Sequence, residues 1–285
     1  MAKHRSWLGR VVLEIVRRLR EQDLMMMAAA IAFYWLLAFI PLLLLGTSAV
    51  GYFLGSSDRA LDEIMSAARR VLPRGAGPDV EVFLSSIIRS RHVTGLIGAG
   101  VLLWVAMGVF EIIASSLTAL CGERETRSLI RRKLVALVMM CTVGFLMLTA
   151  LMGSWILAAW PEIEDILGMQ IRLPGFLEDP NFPRFFSSGL MGVLLTIVYR
   201  IAPVRAIRWP AAVLGATLAA TLWHQARVVF AYVLIHQARF NPYLGLLGSI
   251  IGMVLWIFWS AIILLFGGVV ADVVDRGGKP RVSRP

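Results

Sequence analysis

The sequence predicts an all-α fold: a polytopic membrane helical bundle with six transmembrane helices, an N-terminal amphipathic interfacial helix and an extracytoplasmic helical hairpin. Three observations predict it. Of 285 residues, 58% are hydrophobic and only 16% charged, with a mean hydropathy of +0.76. A soluble domain has roughly 45–50% apolar and about 25% charged residues. Apolar runs recur at lengths that suit a bilayer core of about 30 Å, which needs about 20 helical residues. The charge between those runs is arginine in short clusters; the only lysines are Lys3, Lys133 and Lys279. A net charge of +10 distributed in this way fits topology-setting loops better than a nucleic-acid surface, so no nucleic-acid partner is expected.

Residues 5–20 place Trp7, Leu8, Val11, Val12, Ile15, Val16 and Leu19 on one stripe, with Arg10, Glu14, Arg17 and Arg18 on the other side. Such a basic amphipathic helix either lies in the membrane interface or packs on a cytoplasmic face of the protein. The next run, AAAIAFYWLLAFIPLLLL from Ala28, resembles the core of an export signal. A signal's apolar region is about 7–15 residues long, whereas Leu24–Leu45 carries no charge and no suitable cleavage site follows it. It is therefore read as the first span, bent at Pro41, where a helical hydrogen bond is missing.

Spans are expected near 24–54, 93–120, 133–159, 185–202, 210–235 and 246–274. Each is helical, because an open sheet edge leaves backbone groups unpaired in lipid. Between the first two, residues 56–92 carry a stripe from Leu61 to Leu72, a break at PRGAGP, and a second stripe from Val80 to Ile88. This reads as an outer helical hairpin, either a lid or packing on the span ends. The whole chain, 1–285, reads as one membrane domain with a tail at 275–285. Segments on the side of the termini hold eighteen Lys/Arg against nine on the other side, which predicts both termini in the cytoplasm.

The candidate functional residues are polar groups where lipid is expected. Glu111 lies in WVAMGVFEIIASSL; His224, Gln225 and Arg227 lie in LWHQARVVFAY; Tyr34 lies in the first span. Ionisable groups in a span usually face a bundle interior or a water-filled cavity. An axial offset of about 14 Å, at 1.5 Å per residue, argues against a direct Glu111–Arg227 pair. Pro41, Gly245, Gly248 and Gly252 are candidate hinge or packing positions. The pairs Gly51/Gly55, Gly248/Gly252 and Ala28/Ala32 are spaced for close helix approach. The four histidines are scattered, Cys121 and Cys141 are the only cysteines, and no catalytic motif is present. No catalytic residue, cofactor or metal is expected.

Several segments together resemble the YihY/virulence factor BrkB family: AAAIAFYWLLAFIPLLLL after a basic amphipathic helix, RSLIRRK, YRIAPVRAIRW, and FNPYLGLLGSIIGMVLWIFWSAIILLFGG. The resemblance runs from about Trp7 to Asp272. It implies a six-span protein of the bacterial cytoplasmic membrane without an established biochemical activity. Members were once labelled ribonuclease BN; the residues here offer no site for that chemistry. Some relatives are linked to serum resistance or proposed to handle lipid-linked envelope components. Two departures stand out. Tyr243 is followed by Leu244 before Gly245, where the family has Tyr-Gly. Where the family ends the last span Gly-Ala-Glu, this chain has Gly267-Gly268-Val269, with Asp272 three residues on. The resulting expectation is a non-enzymatic protein that moves or positions an amphipathic, lipid-like substrate. The alternative is an envelope assembly factor. Membrane lipids are the expected partners, and the sequence gives no oligomeric state.

Overall fold

A computed structural model describes residues 2–53, 91–167, 182–240 and 245–277, and all regular structure among them is α-helical. The helices are α1 (Ala2–Glu21), α2 (Leu24–Phe53), α3 (Arg91–Leu120), α4 (Leu129–Leu167), α5 (Phe182–Ile201), α6 (Trp209–Phe240) and α7 (Gly245–Asp275). Each expected span corresponds to one helix, α2 to α7. The largest boundary difference is at α4, which starts four residues earlier and ends eight later than read. Charged residues such as Arg131, Arg132 and Glu162 end an apolar run, but they are good helix formers and do not end a helix. The expected outer hairpin lies almost wholly outside the described residues, as does most of the C-terminal tail.

Length and hydropathy qualify three of these helices to cross a membrane: Gly98–Leu120, Leu129–Ala150 and Ile251–Asp275. A fourth crossing is reached if Gly9–Glu21 and Leu24–Phe39 count as one broken span. The apolar part of α5, Gly189–Ile201, is shorter. Helices thus stand at the six expected positions, and three of them are long and apolar enough to cross a membrane. In α6 the apolar run is interrupted by Thr217, Thr221, His224, Gln225 and Arg227. Its threonines are satisfied locally: Thr217 and Thr221 donate to Val213 and Thr217 carbonyls at 2.9 and 2.8 Å. Thr118, Thr142, Thr149 and Thr196 do the same in their own helices. A hydroxyl bonded to the carbonyl one turn back is tolerated in an apolar setting.

The chain divides into two compact units. The first comprises Met1–Leu24, Ile113–Gln225 and Ile262–Pro285. Its core contains Leu117, Leu120, Met139, Leu195, Tyr199, Leu265, Val269 and Val273, all essentially without exposure. There α6 and α7 meet at glycines. A Cβ on Gly215 would lie 2.5 Å from the Gly267 carbonyl oxygen and 2.7 Å from Ala271 Cβ. A Cβ on Gly267 would strike the Tyr199 hydroxyl and lie 2.6 Å from Ala219 Cβ. Gly215/Ala219 and Gly267/Ala271 are small residues one turn apart on each helix, the spacing that lets two backbones touch. Tyr199 of α5 closes the contact by donating its hydroxyl to the Leu264 carbonyl at 2.8 Å. A Cβ on the adjacent Gly268 would collide with Leu117 of α3. The small-residue signal had pointed elsewhere: Ala28, Ala32 and Gly252 are buried, while the side-chain surroundings of Gly51, Gly55, Gly245 and Gly248 lie outside the described set.

The second unit comprises Met25–Ile112 and Ala226–Ala261. Tyr34 of α2 lies on α3 at Gly108, where a Cβ would come within 2.7 Å of its ring. Phe33 packs edge-on to Tyr34 at 5.9 Å between centroids. Phe230 of α6 and Trp256 of α7 stack tilted at 5.0 Å. Pro41 is buried, and α2 continues through it as one helix.

Overpacking a tight contact costs about 1–3 kcal/mol. Gly267→Ala is expected to destabilise by that order and Gly100→Ala, which meets open space, to leave stability near wild type. Thermal unfolding in detergent measures both.

Candidate functional site

The densest polar constellation lies in the first unit, where α1 meets the end of α7. Within α1 the residues turned to the protein are Val11, Glu14 and Arg18, three and four apart. Val12, Leu13 and Val16 are exposed, Leu13 by 72%. The sequence left open which side of α1 meets the protein; the structure turns Glu14 and Arg18 inward with Val11. The inward seam is chosen by charge: Arg18 is 0% exposed and sits between two carboxylates. Its Nε donates to Glu14 Oε1 at 3.0 Å, and its Nη1 donates to Asp272 Oδ2. Asp272 is itself 2% exposed.

The network continues from Asp272. Arg276 Nε donates to both Asp272 oxygens, at 3.1 and 2.9 Å, and its Nη2 donates to the Cys121 carbonyl at 2.9 Å and to Glu123 at 3.3 Å. The end of α3 positions those two acceptors. Gly122 adopts φ 78°, a left-handed conformation that glycine accepts without a Cβ clash. Gly122 N–H then bonds to the Ala119 carbonyl at 2.8 Å and Glu123 N–H to Thr118 at 3.1 Å, a Schellman cap. Glu123 also accepts from Arg205 N–H at 2.9 Å. Asp275, buried one turn from Asp272, accepts from the Arg208 backbone and side chain and from Arg205. Arg127 donates to the Ala202 and Pro203 carbonyls, and Arg200 to the Ile207 carbonyl while stacking 5.4 Å over Trp209. Arginines therefore tie α1, the α3–α4 loop, the α5–α6 loop and α7 together.

Desolvation by itself would lower the pKa of Arg18; hydrogen bonding and charge from Asp272, then from Glu14, outweigh it and raise the pKa, so the guanidinium stays charged. One hydrogen-bonding group of Arg18, Nη2, is buried without a partner among the described residues, as is Gln22 Oε1 one turn on. The seam is thus held by charge pairing with one residual unsatisfied donor. Cys121 is buried beside this network, and burial pushes its thiol pKa far above the usual range.

The sequence-derived candidates fall apart from this network. Glu111 is half-buried on α3, one turn from Gly108 and the Tyr34 ring, and is engaged with a partner. His224 is half-buried, and Gln225 and Arg227 are exposed on α6. No ion pair links Glu111 to Arg227, and among the described residues Arg227 has no hydrogen-bond or ion-pair partner. Among the described residues no group of three His, Cys, Asp or Glu side chains could hold a metal ion. Arg18, Glu14 and Asp272 were missed as a site. The available signals were the Glu14/Arg18 spacing of four and the isolated Asp272 in an apolar helix end.

The sequence profile of the virulence factor BrkB family matches residues 15–284. The chain belongs to that family. It is 25% identical over 284 residues to a UPF0761 membrane protein of Tolumonas auensis, covering 93% of this chain and 88% of that one. The ribonuclease-like protein YfkH of Bacillus subtilis is 24% identical over 264 residues, covering 88% and 90%. A UPF0761 membrane protein of Chlorobium limicola is 24% identical, and the match spans 55% of its length. No solved structure matches the chain significantly. With its apolar helices, the protein is a membrane protein of this family.

Removing one partner of a buried ion pair costs about 3–5 kcal/mol, because the other charge is left uncompensated. Asp272→Asn is expected to lose that order of stability by chemical unfolding in detergent. Arg18→Met with Asp272→Leu is expected to lose less than the sum of the two single changes. For Cys121, the folded pKa lies above the unfolded value of about 8.5. Its contribution is therefore constant below that pH and unfavourable to the fold above it, where only the unfolded thiol ionises. Maleimide is expected to leave Cys121 unmodified in the folded protein through mildly alkaline pH and to modify it after denaturation.

Proposed function

We propose that this protein is a non-enzymatic, multi-pass protein of the bacterial cytoplasmic membrane, with both termini in the cytoplasm, that moves or positions an amphipathic, lipid-like envelope component. The observation that carries the proposal is Arg227. It is exposed near the middle of α6, without a partner among the described residues, amid exposed Val228, Val229, Tyr232 and Val233. An arginine at membrane depth is retained where something compensates it. An amphipath with an anionic head and an apolar tail complements this surface: the guanidinium pairs with the head and the valines receive the tail. His224 and Gln225 lie within one turn, and the half-buried Glu111 and Tyr34 would add polar groups to the same path. The orientation rests on the arginine count of the loops.

A second reading, an envelope assembly factor that transports nothing, is favoured by the concentration of hydrogen-bonded charge around Arg18 and Asp272. Glu111→Gln and Arg227→Gln separate the two. Loss of rescue of a deletion strain, with normal folding, supports a conduit; full rescue supports scaffolding. A ribonuclease would need metal-dependent cleavage by highly purified protein that a single named substitution abolishes.

In reconstituted vesicles, transbilayer movement of labelled anionic lipid is expected to exceed the protein-free rate and to fall severalfold in Arg227→Gln, with the melting temperature unchanged. Wild-type rates equal to protein-free vesicles across several lipid classes would contradict the proposal.

A further inference from the structure

The rotation of α1 leaves an outer strip that no described residue covers. Leu13, Val16 and Arg20 lie three and four apart, with Val12 beside them, and all four are exposed. Arg17 is paired with Glu14 and Glu21, and Arg10 is engaged. Arg20, by contrast, has no partner among the described residues and stands within the apolar strip.

A water-soluble helix is arranged the other way, with its apolar residues against the protein and its charges outside. Here the protein-facing seam holds Glu14 and Arg18, so the apolar strip serves a surface outside the fold. Exposed apolar residues gathered on one face mark an interaction site. We propose that this strip docks on an anionic lipid leaflet, with Val12, Leu13 and Val16 at the level of the upper acyl chains and Arg20 on lipid phosphate. An in-plane amphipathic helix takes this position, its apolar face shallowly buried and its cations at the head groups. Arginine also suits the arrangement because its stem lies along apolar surface while its head reaches the phosphates.

A second copy of the chain is a poorer occupant. A two-fold interface sets the same patch against itself, bringing Arg20 towards its own copy with no carboxylate on the strip. The Arg18–Glu14–Asp272 pairing gives the docking its purpose: it fixes which face of α1 meets the leaflet. The inference does not depend on what the protein transports.

The test uses the full chain with Cys121→Ala and Cys141→Ala, labelled with an environment-sensitive dye at Leu13→Cys or Val16→Cys. It is reconstituted in phosphatidylcholine vesicles with and without phosphatidylglycerol. Both labels are expected to be quenched by spin-labelled lipid and severalfold less by aqueous iodide than the free dye. The lipid contact is expected to deepen with phosphatidylglycerol, and Arg20→Gln, which removes no hydrogen bond or ion pair among the described residues, is expected to abolish that difference. Iodide quenching equal to that of the free dye would overturn the inference. So would protection from both quenchers, which would mean a protein partner. Lipid contact indifferent to phosphatidylglycerol would overturn the anionic specificity.

Discussion

A guanidinium with no exposed surface is tenable only beside carboxylates, and Arg18 has two, Glu14 on its own helix and Asp272 at the far end of the chain. Desolvating such groups costs several kcal/mol per ion, and their mutual attraction offsets this only when geometry is good. The surrounding structure supplies that geometry. Asp272 is held by Arg276, Arg276 is held by the Cys121 carbonyl and Glu123, and both of those are fixed by the Gly122 cap. A local backbone requirement at one glycine is thereby linked, through three arginine contacts, to the rotation of α1.

Packing within the same unit follows a different logic. Apolar side chains gain little from leaving lipid for a helix interface, so close approach depends on small residues. Gly215 against Gly267, with Ala219 and Ala271 one turn away, provides it. The family resemblance drew attention to Gly267-Gly268-Val269 as a departure from Gly-Ala-Glu. The glycine at 268 has a physical account: Leu117 occupies the space that a Cβ would need. Asp272, one turn beyond Gly268, supplies a carboxylate at this end of α7, and its partners are now defined.

Much of the fold was legible because lipid imposes simple rules. Runs of about 20 apolar residues placed helices α2 to α7, with ends within five residues of those expected except in α4. The ends of α4 were not legible, since arginine and glutamate close an apolar run without closing a helix. The rotation of α1 was not legible for a related reason. Periodicity identifies an apolar stripe but not which side meets the protein, and here the charged side does, because Asp272 lies 254 residues away in sequence. Similarly, spacing finds small residues one turn apart but not their partner helix, so Gly215 and Gly267 went unremarked as a pair. The isolated positions Glu111 and Arg227 were found readily, because a charge within an apolar run is conspicuous in sequence.

The claim on which this account depends most is that the Arg18–Asp272 pair holds α1 to the protein in its observed rotation. Hydrogen exchange of α1 backbone amides, compared between wild type and Asp272→Asn in lipid nanodiscs, tests it most directly. The account predicts that exchange in Gly9–Glu21 accelerates strongly in the variant while the amides of α4 keep their wild-type protection. Unchanged protection of α1 in a folded Asp272→Asn protein would contradict it.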